Sequence, residues 1–340
     1  MIEPRITTPY EDGFRMPGRF EPHQGTLISW PAEGDREIEL FRDEIVEVVK
    51  LISNYEEIFL VVDSNDFEEA AKRCGDYAKI IMVDCEFGWI RDNGPMFVKN
   101  KKGEMAAVKF QFNAWGEKYP GYQKTRGVPN QIADYFSTPM YEASFVLEGG
   151  GICVDGEGTL IATEQTLLNP NRNPSMSKAD IEKGLKDYLG IEKVIWLYKG
   201  FVEDSETDGH VDNVIEYIAP GKVIVQMSAD LNNPNCEILN ENLSRLKNAT
   251  DAMGRKLEII EFDYLPYTAP IEGIAYPVPY ANYYVMNGAI IVPTVGWHNE
   301  SLAVAELKKI FPDKDIVEAP STYQAVGGGG LGCMTQQIPR

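Results

Sequence analysis

Cys333 stands apart from the other four cysteines because of what surrounds it. It follows four glycines, Leu331 and Gly332, whereas Cys74, Cys85, Cys153 and Cys236 lie in or beside apolar runs and read as small buried residues. A thiolate is a nucleophile suited to a poorly electrophilic carbon. Such chemistry needs a proton carrier and a means of holding the substrate. His210 offers the first, in Gly209-His210-Val211-Asp212-Asn213. Carboxylates offer the second: Asp92 in Trp89-Ile90-Arg91-Asp92-Asn93-Gly94-Pro95, Glu148 in Leu147-Glu148-Gly149-Gly150, and Asp212 itself. A guanidinium is planar, permanently charged and only a donor, and carboxylates that accept paired hydrogen bonds suit it. Asp92 and Asp212 are the candidates for that clamp. Cys333 would attack the central carbon, and His210 would protonate departing ammonia and then deprotonate the attacking water. A thiouronium intermediate would collapse to a urea, with no metal or organic cofactor.

Singly, each segment has a plainer explanation: an ion pair at a strand edge, a tight bend, a flexible glycine loop. The glycine run is not a phosphate loop, because Cys333 rather than Lys-Ser/Thr follows it. The pair His210 and Asp212 suits a metal, but His23, His210 and His298 are not clustered, so no metal site is expected.

The elements around these segments are what bring them together. Each precedes a predicted hairpin: Met96 to Phe112, Ile152 to Ala162, Val214 to Met227 around Pro220-Gly221, and Tyr283 to Val292 around Asn287-Gly288. Tyr280-Ala281-Asn282 precedes the fourth, which makes Asn282 a candidate substrate contact. A fifth hairpin forms if the strand after Cys333 pairs with residues 25–30. Helical spacing marks Ile38, Phe41, Ile45, Val48 and Ile52, and again Ile238, Leu239, Leu243, Leu246 and Met253. Asn65 is expected to cap a helix through Arg73, Ser177 with Asp180 to form a capping box closed by Gly190, and Asn299 to cap a helix to Phe311. Short apolar strands follow the helices. The recurring order predicts an α/β fold, a five-bladed pseudo-symmetric propeller of repeated ββαβ units, in one domain over residues 1–340. In a closed ring, the polar segments meet at the axis.

Composition narrows the function classes. Acidic residues outnumber basic ones, 52 to 32, for a formal net charge of −20. That argues against nucleic acid and anionic membranes and favours a small cationic substrate, although it also serves solubility. The cysteines are odd in number and widely spaced, which argues against a disulfide framework. No apolar run is long enough to span a bilayer, and Met1 to Arg5 does not begin a signal peptide, so a cytoplasmic protein is expected.

With these motifs in this order, the sequence resembles the agmatine deiminases of the guanidino-group-modifying superfamily. The likeness covers nearly the whole chain, including Asp12 to Pro17, Glu21-Pro22-His23, Asn169 to Pro174, and Thr335-Gln336-Gln337 after the cysteine. It implies the five-bladed pentein fold, conversion of agmatine and water to N-carbamoylputrescine and ammonia, no cofactor, and a homo-oligomer. It also implies Cys333 as nucleophile, His210 as acid and base, Asp92 and Asp212 as the clamp, Glu148 as support for the histidine, and Trp89 as a pocket wall. Gly332 departs from the histidine common there, and Gly330 from an asparagine.

Agmatine carries a free amine where arginine has a carboxylate-bearing carbon, so its site should offer an acid. Glu203, Asp204, Glu206 and Asp208 precede His210, and Glu206 is the candidate for the amine; a solvated acidic loop is the alternative. Two other functions remain open: a deiminase of peptidyl-arginine or another arginine derivative, and a non-catalytic propeller that serves as a binding module.

Overall fold

The computed structural model describes residues 3–32 and 37–340. Met1 and Ile2, read above for targeting signals, lie outside it, as do residues 33–36 of the expected domain. Among the described residues five sheets form, four built on an antiparallel hairpin and the fifth on an antiparallel pair from the two ends of the chain. In the third, Ile215–Ala219 pairs with Lys222–Gln226, helix Cys236–Asn248 crosses over, and Glu258–Phe262 returns parallel to the second strand. The others repeat this plan around Met96–Asn100 with Met105–Gln111, Cys153–Val154 with Thr159–Thr163, and Tyr284–Met286 with Ala289–Thr294. The fifth joins the two ends of the chain: Thr335–Pro339 pairs antiparallel with His23–Ser29, Thr335 opposite Ile28.

Helices are held by their apolar faces. Phe41, Ile45, Val48, Val49 and Ile52 of helix Ile38–Ile52 are buried against Ile58, Leu60 and Val62 of the fifth sheet and against Tyr284, Ile291 and Ala319 of the fourth. Full burial of each such aliphatic side chain contributes about 1.5–3 kcal/mol. The helix therefore glues neighbouring sheets together. The short turns that start the hairpins, at Ile90–Asn93, Gly149–Gly151, Val211–Asn213, Tyr280–Asn282 and Leu331–Met334, lie against one another in cyclic order, the last against the first.

Local expectations differ from the structure at a few points. The cap near residue 65 is Asp63, whose carboxylate accepts from Asn65 N, and the α-helix that follows is Phe67–Cys74. Met253 lies beyond its helix and is exposed, because the helix ends at Asn248. Asn299 precedes helix Glu300–Ile310 without a side-chain capping bond. Helix Val128–Phe136 was not anticipated; Pro129 opens it, where a missing N–H costs nothing. Cys74 and Cys153 are buried, whereas Cys85 and Cys236 are only partly so. Ser177 and Asp180 do form a reciprocal capping box, and Gly190 ends that helix at φ 71°. Ser177→Ala is expected to lower stability by about 1 kcal/mol in urea denaturation, with activity unchanged.

Candidate active site

Each turn delivers one or two polar side chains to the common centre. Asp92 is fixed on both oxygens: Gly150 N donates to Oδ1 and Trp115 Nε1 to Oδ2, each at 2.9 Å. His210 is fully buried, with Nδ1 3.9 Å from Asp92 Oδ2 and Nε2 3.7 Å from Glu148 Oε2. At these separations the carboxylates act on the ring as charges rather than as hydrogen-bond acceptors. Arg172 Nε donates to Glu148 Oε1 at 2.6 Å, which leaves Oε2 toward the histidine. Cys333 Sγ lies 3.9 Å from Asp212 Oδ2 and 3.7 Å from the Asn282 amide nitrogen. The Asn282 amide oxygen accepts from Gly332 N at 2.8 Å, and a Cβ on residue 332 would lie 2.9 Å from that oxygen. The glycine before the cysteine is thus matched to the asparagine packed over it.

Gly150 sits where the charged groups meet. A Cβ there would lie 2.5 Å from His210 Nδ1 and 3.0 Å from both Asp212 Oδ2 and Asp92 Oδ1. The glycine-rich bend lets these groups close in and turns its own N–H onto Asp92.

Burial and charge set the protonation states. Burial would lower the His210 pKa, but Asp92, Glu148 and Asp212 outweigh it and hold the imidazolium to about 9. Burial raises the Asp212 pKa to about 6, with Asp92 adding to the rise and Arg19, His210 and Arg91 opposing it. Burial, then Asp212 and Asp92, push the Cys333 thiol well above its ordinary range. The centre without substrate therefore pairs a neutral thiol with a charged histidine, and its negative pole is ready for a cation.

The thiol opens into a cavity of about 480 Å³ with Asp92 and Asn282 beside it. Trp89, Trp115 and Phe87 form an aromatic wall, and Gly329 lies on the Trp89 ring, where a Cβ would come within 2.3 Å. Glu206 lines the same cavity, and its carboxylate accepts from the Tyr119 hydroxyl. Glu203 and Asp204 of the same loop also line the cavity, and each acid of the loop has protein partners. Glu203 accepts from Asn235 and Tyr267, Asp204 accepts from the His210 and Thr207 backbone N–H groups, and Asp208 pairs with Arg172 and Lys118.

The structure thus brings together every residue named from the sequence: Cys333, His210, Asp92, Asp212, Glu148 and Asn282 at the centre, Trp89 and Glu206 along the cavity. Sequence reading missed Trp115 and Arg172. Trp115 reaches Asp92 from a left-handed turn in which Ala114, Trp115, Gly116 and Glu117 all have positive φ. Such backbone costs about 1–2 kcal/mol per non-glycine residue, and no local pattern announces it. Arg172 lies in Asn169 to Pro174, a stretch noted only as part of the resemblance. Among the described residues, no group of three or more His, Cys, Asp or Glu is placed to hold a metal.

The sequence profile of the Porphyromonas-type peptidyl-arginine deiminases matches residues 15–339. The chain belongs to that family. This deiminase-family chain is 38% identical over 355 residues to a Listeria monocytogenes protein named "Putative agmatine deiminase 1", covering 97% of this chain and 98% of the relative. The agmatine deiminase of Enterococcus faecalis superposes with a TM-score of 0.94 at 34% identity, covering 99% of this chain and all of that one.

Two outcomes follow for turnover of a guanidinium substrate. The profile of kcat/KM against pH should be bell-shaped. It falls below about 6 as protonated Asp212 stops binding the cation, and above about 9 as His210 loses the proton it donates. Gly150→Ala, which wedges the centre apart, should lower kcat/KM by about 100-fold while thermal melting shows a folded protein.

Proposed function

We propose that the protein hydrolyses agmatine to N-carbamoylputrescine and ammonia. The observation that carries this reading is the Cys333 thiol, 3.9 Å from Asp212, opening into a cavity that Asp92 and Glu206 also line. Asp92 and Asp212 accept the guanidinium N–H groups, and the aromatic wall packs the methylene chain. Glu206 takes the distal ammonium. Glu148, held by Arg172, supports the imidazolium.

The substrate cation, bound beside Cys333, lowers the thiol pKa, and the thiol proton passes to solvent water. The thiolate attacks the guanidinium carbon. His210 passes its proton to one nitrogen, and ammonia departs as the C–N bond breaks, leaving a cationic S-alkyl thiouronium. Neutral His210 then takes a proton from water, the hydroxide adds to the same carbon, and collapse expels the Cys333 thiolate, which takes up the hydroxyl proton as the neutral urea forms. The acidic surface, net charge −20, draws the dication in. The chain works as one domain, as a homo-oligomer in the cytoplasm, without a cofactor.

Cys333→Ala is expected to abolish ammonia release, with wild-type melting behaviour; near-normal activity would show that another group is the nucleophile. Glu206→Gln should raise KM for agmatine about tenfold and change kcat little, because a charge-assisted hydrogen bond is worth about 1.5–3 kcal/mol. A competition assay should favour agmatine strongly over arginine and a peptidyl-arginine; preference for the peptide would move the assignment to that substrate class.

A further inference from the structure

The opening Glu21-Pro22-His23 motif contributes no group to the chemistry above, yet the structure holds it tightly. Glu21 Oε1 accepts from Gly18 N at 2.9 Å and closes the turn that contains Arg19. His23 Nε2 donates to the Arg19 carbonyl at 2.9 Å, while His23 Nδ1 faces Glu56 at 3.3 Å. Asn287 in the fourth hairpin turn grips the His23 backbone from both sides, at 3.0 and 2.9 Å. All this order fixes one side chain. Arg19 is 5% exposed, pairs with Glu216 at 2.7 Å, and brings its second terminal nitrogen to 3.9 Å from Asp212 Oδ2.

We propose that Arg19 is a positioning residue that keeps the Asp212 carboxylate an anion, aimed at the substrate, while the site is empty. The inference rests on the reading of Asp212 as half of the guanidinium clamp. Asp212 Oδ2 meets Arg19, while Oδ1 has no hydrogen-bond partner among the described residues. The charged and titratable groups around Asp212 are Arg19 from the opening segment, Arg91 and Asp92 from the first turn, His210 from its own turn, and Cys333 from the last. Asp92 repels the Asp212 anion, and Arg91, which acts on Asp212 as a more distant charge, directs Nε and one terminal nitrogen to the Gly332 carbonyl and Gln337. His210 is shared with Asp92 and Glu148. Arg19 is the cation whose ion-pair contacts are Asp212 and Glu216. Glu216 anchors it in turn, and also accepts from Cys153 Sγ at 3.2 Å. The motif thus acts through the clamp, from the side away from the cavity.

The test compares wild type with R19M, R19K and the double variant R19M/E216Q, which removes the ion pair as a unit and leaves no orphaned Glu216. With agmatine as probe, R19M and R19M/E216Q should move the acid limb of kcat/KM upward by about one pH unit. That is about a tenfold loss near the limb, carried by KM more than by kcat and small at higher pH. R19K retains a charge and should keep the wild-type limb. An unmoved limb in whichever of the two charge-removing variants folds overturns the proposal, as does an equal loss in R19K.

Melting of the substrate-free protein gives a second readout independent of turnover. Asp212 has a raised pKa, so its contribution to stability falls as pH climbs through that value. Loss of Arg19 should extend the fall to higher pH, and D212N in the same background should cancel the extension. No extension overturns the proposal. If wild type fails to turn over agmatine, the reading of the site fails, and the melting comparison still decides the role of Arg19.

Discussion

Asp92 and Asp212 face one centre from the first and third turns, and both are buried. Two like charges in a medium of low polarity repel strongly, and much of the surrounding structure answers that problem. The Trp115 indole and the Gly150 N–H satisfy Asp92. The imidazolium of His210 stands between Asp92 and Glu148. Arg19 backs Asp212, and Arg172 backs Glu148. A guanidinium bound there, as proposed, would relieve the repulsion directly.

This arrangement separates two tasks that share one residue type. The arginines behind the carboxylates are permanent countercharges reached through the protein, whereas the cavity side is left open for a cation of the same chemistry. In the proposed mechanism, activation of Cys333 follows occupancy. Burial and the carboxylates disfavour the Cys333 thiolate, and the substrate is the charge that reverses the balance.

Much of this was legible in the sequence because it depends on local rules. Asn287-Gly288 announces its hairpin, Ser177 and Asp180 announce their cap, and alternating apolar residues announce the strands. Convergence of Cys333, His210, Asp92, Glu148 and Asp212 could be read because they occupy the same place in successive units. What stayed hidden depends on backbone or on distance. Trp115 reaches its carboxylate through a left-handed turn that its residue types disfavour. Arg172 and Arg19 pair with acids 24 and 197 residues away, and a single arginine in a loop carries no sign of its partner. Asn65 falls inside a short 3-10 turn, Ser64–Asp66, that Asp63 caps, and the α-helix begins only at Phe67.

The pairing of Thr335–Pro339 with His23–Ser29 has a consequence for how the protein is made. On a translating ribosome the early strand emerges long before its partner, and one of its edges stays open through synthesis of almost the whole chain. An open edge invites pairing with other chains, so this strand is the nascent protein's exposed flank. The nucleophile arrives with the same late segment. The polypeptide therefore gains Cys333 in the step that seals this edge, and a product truncated before it carries neither.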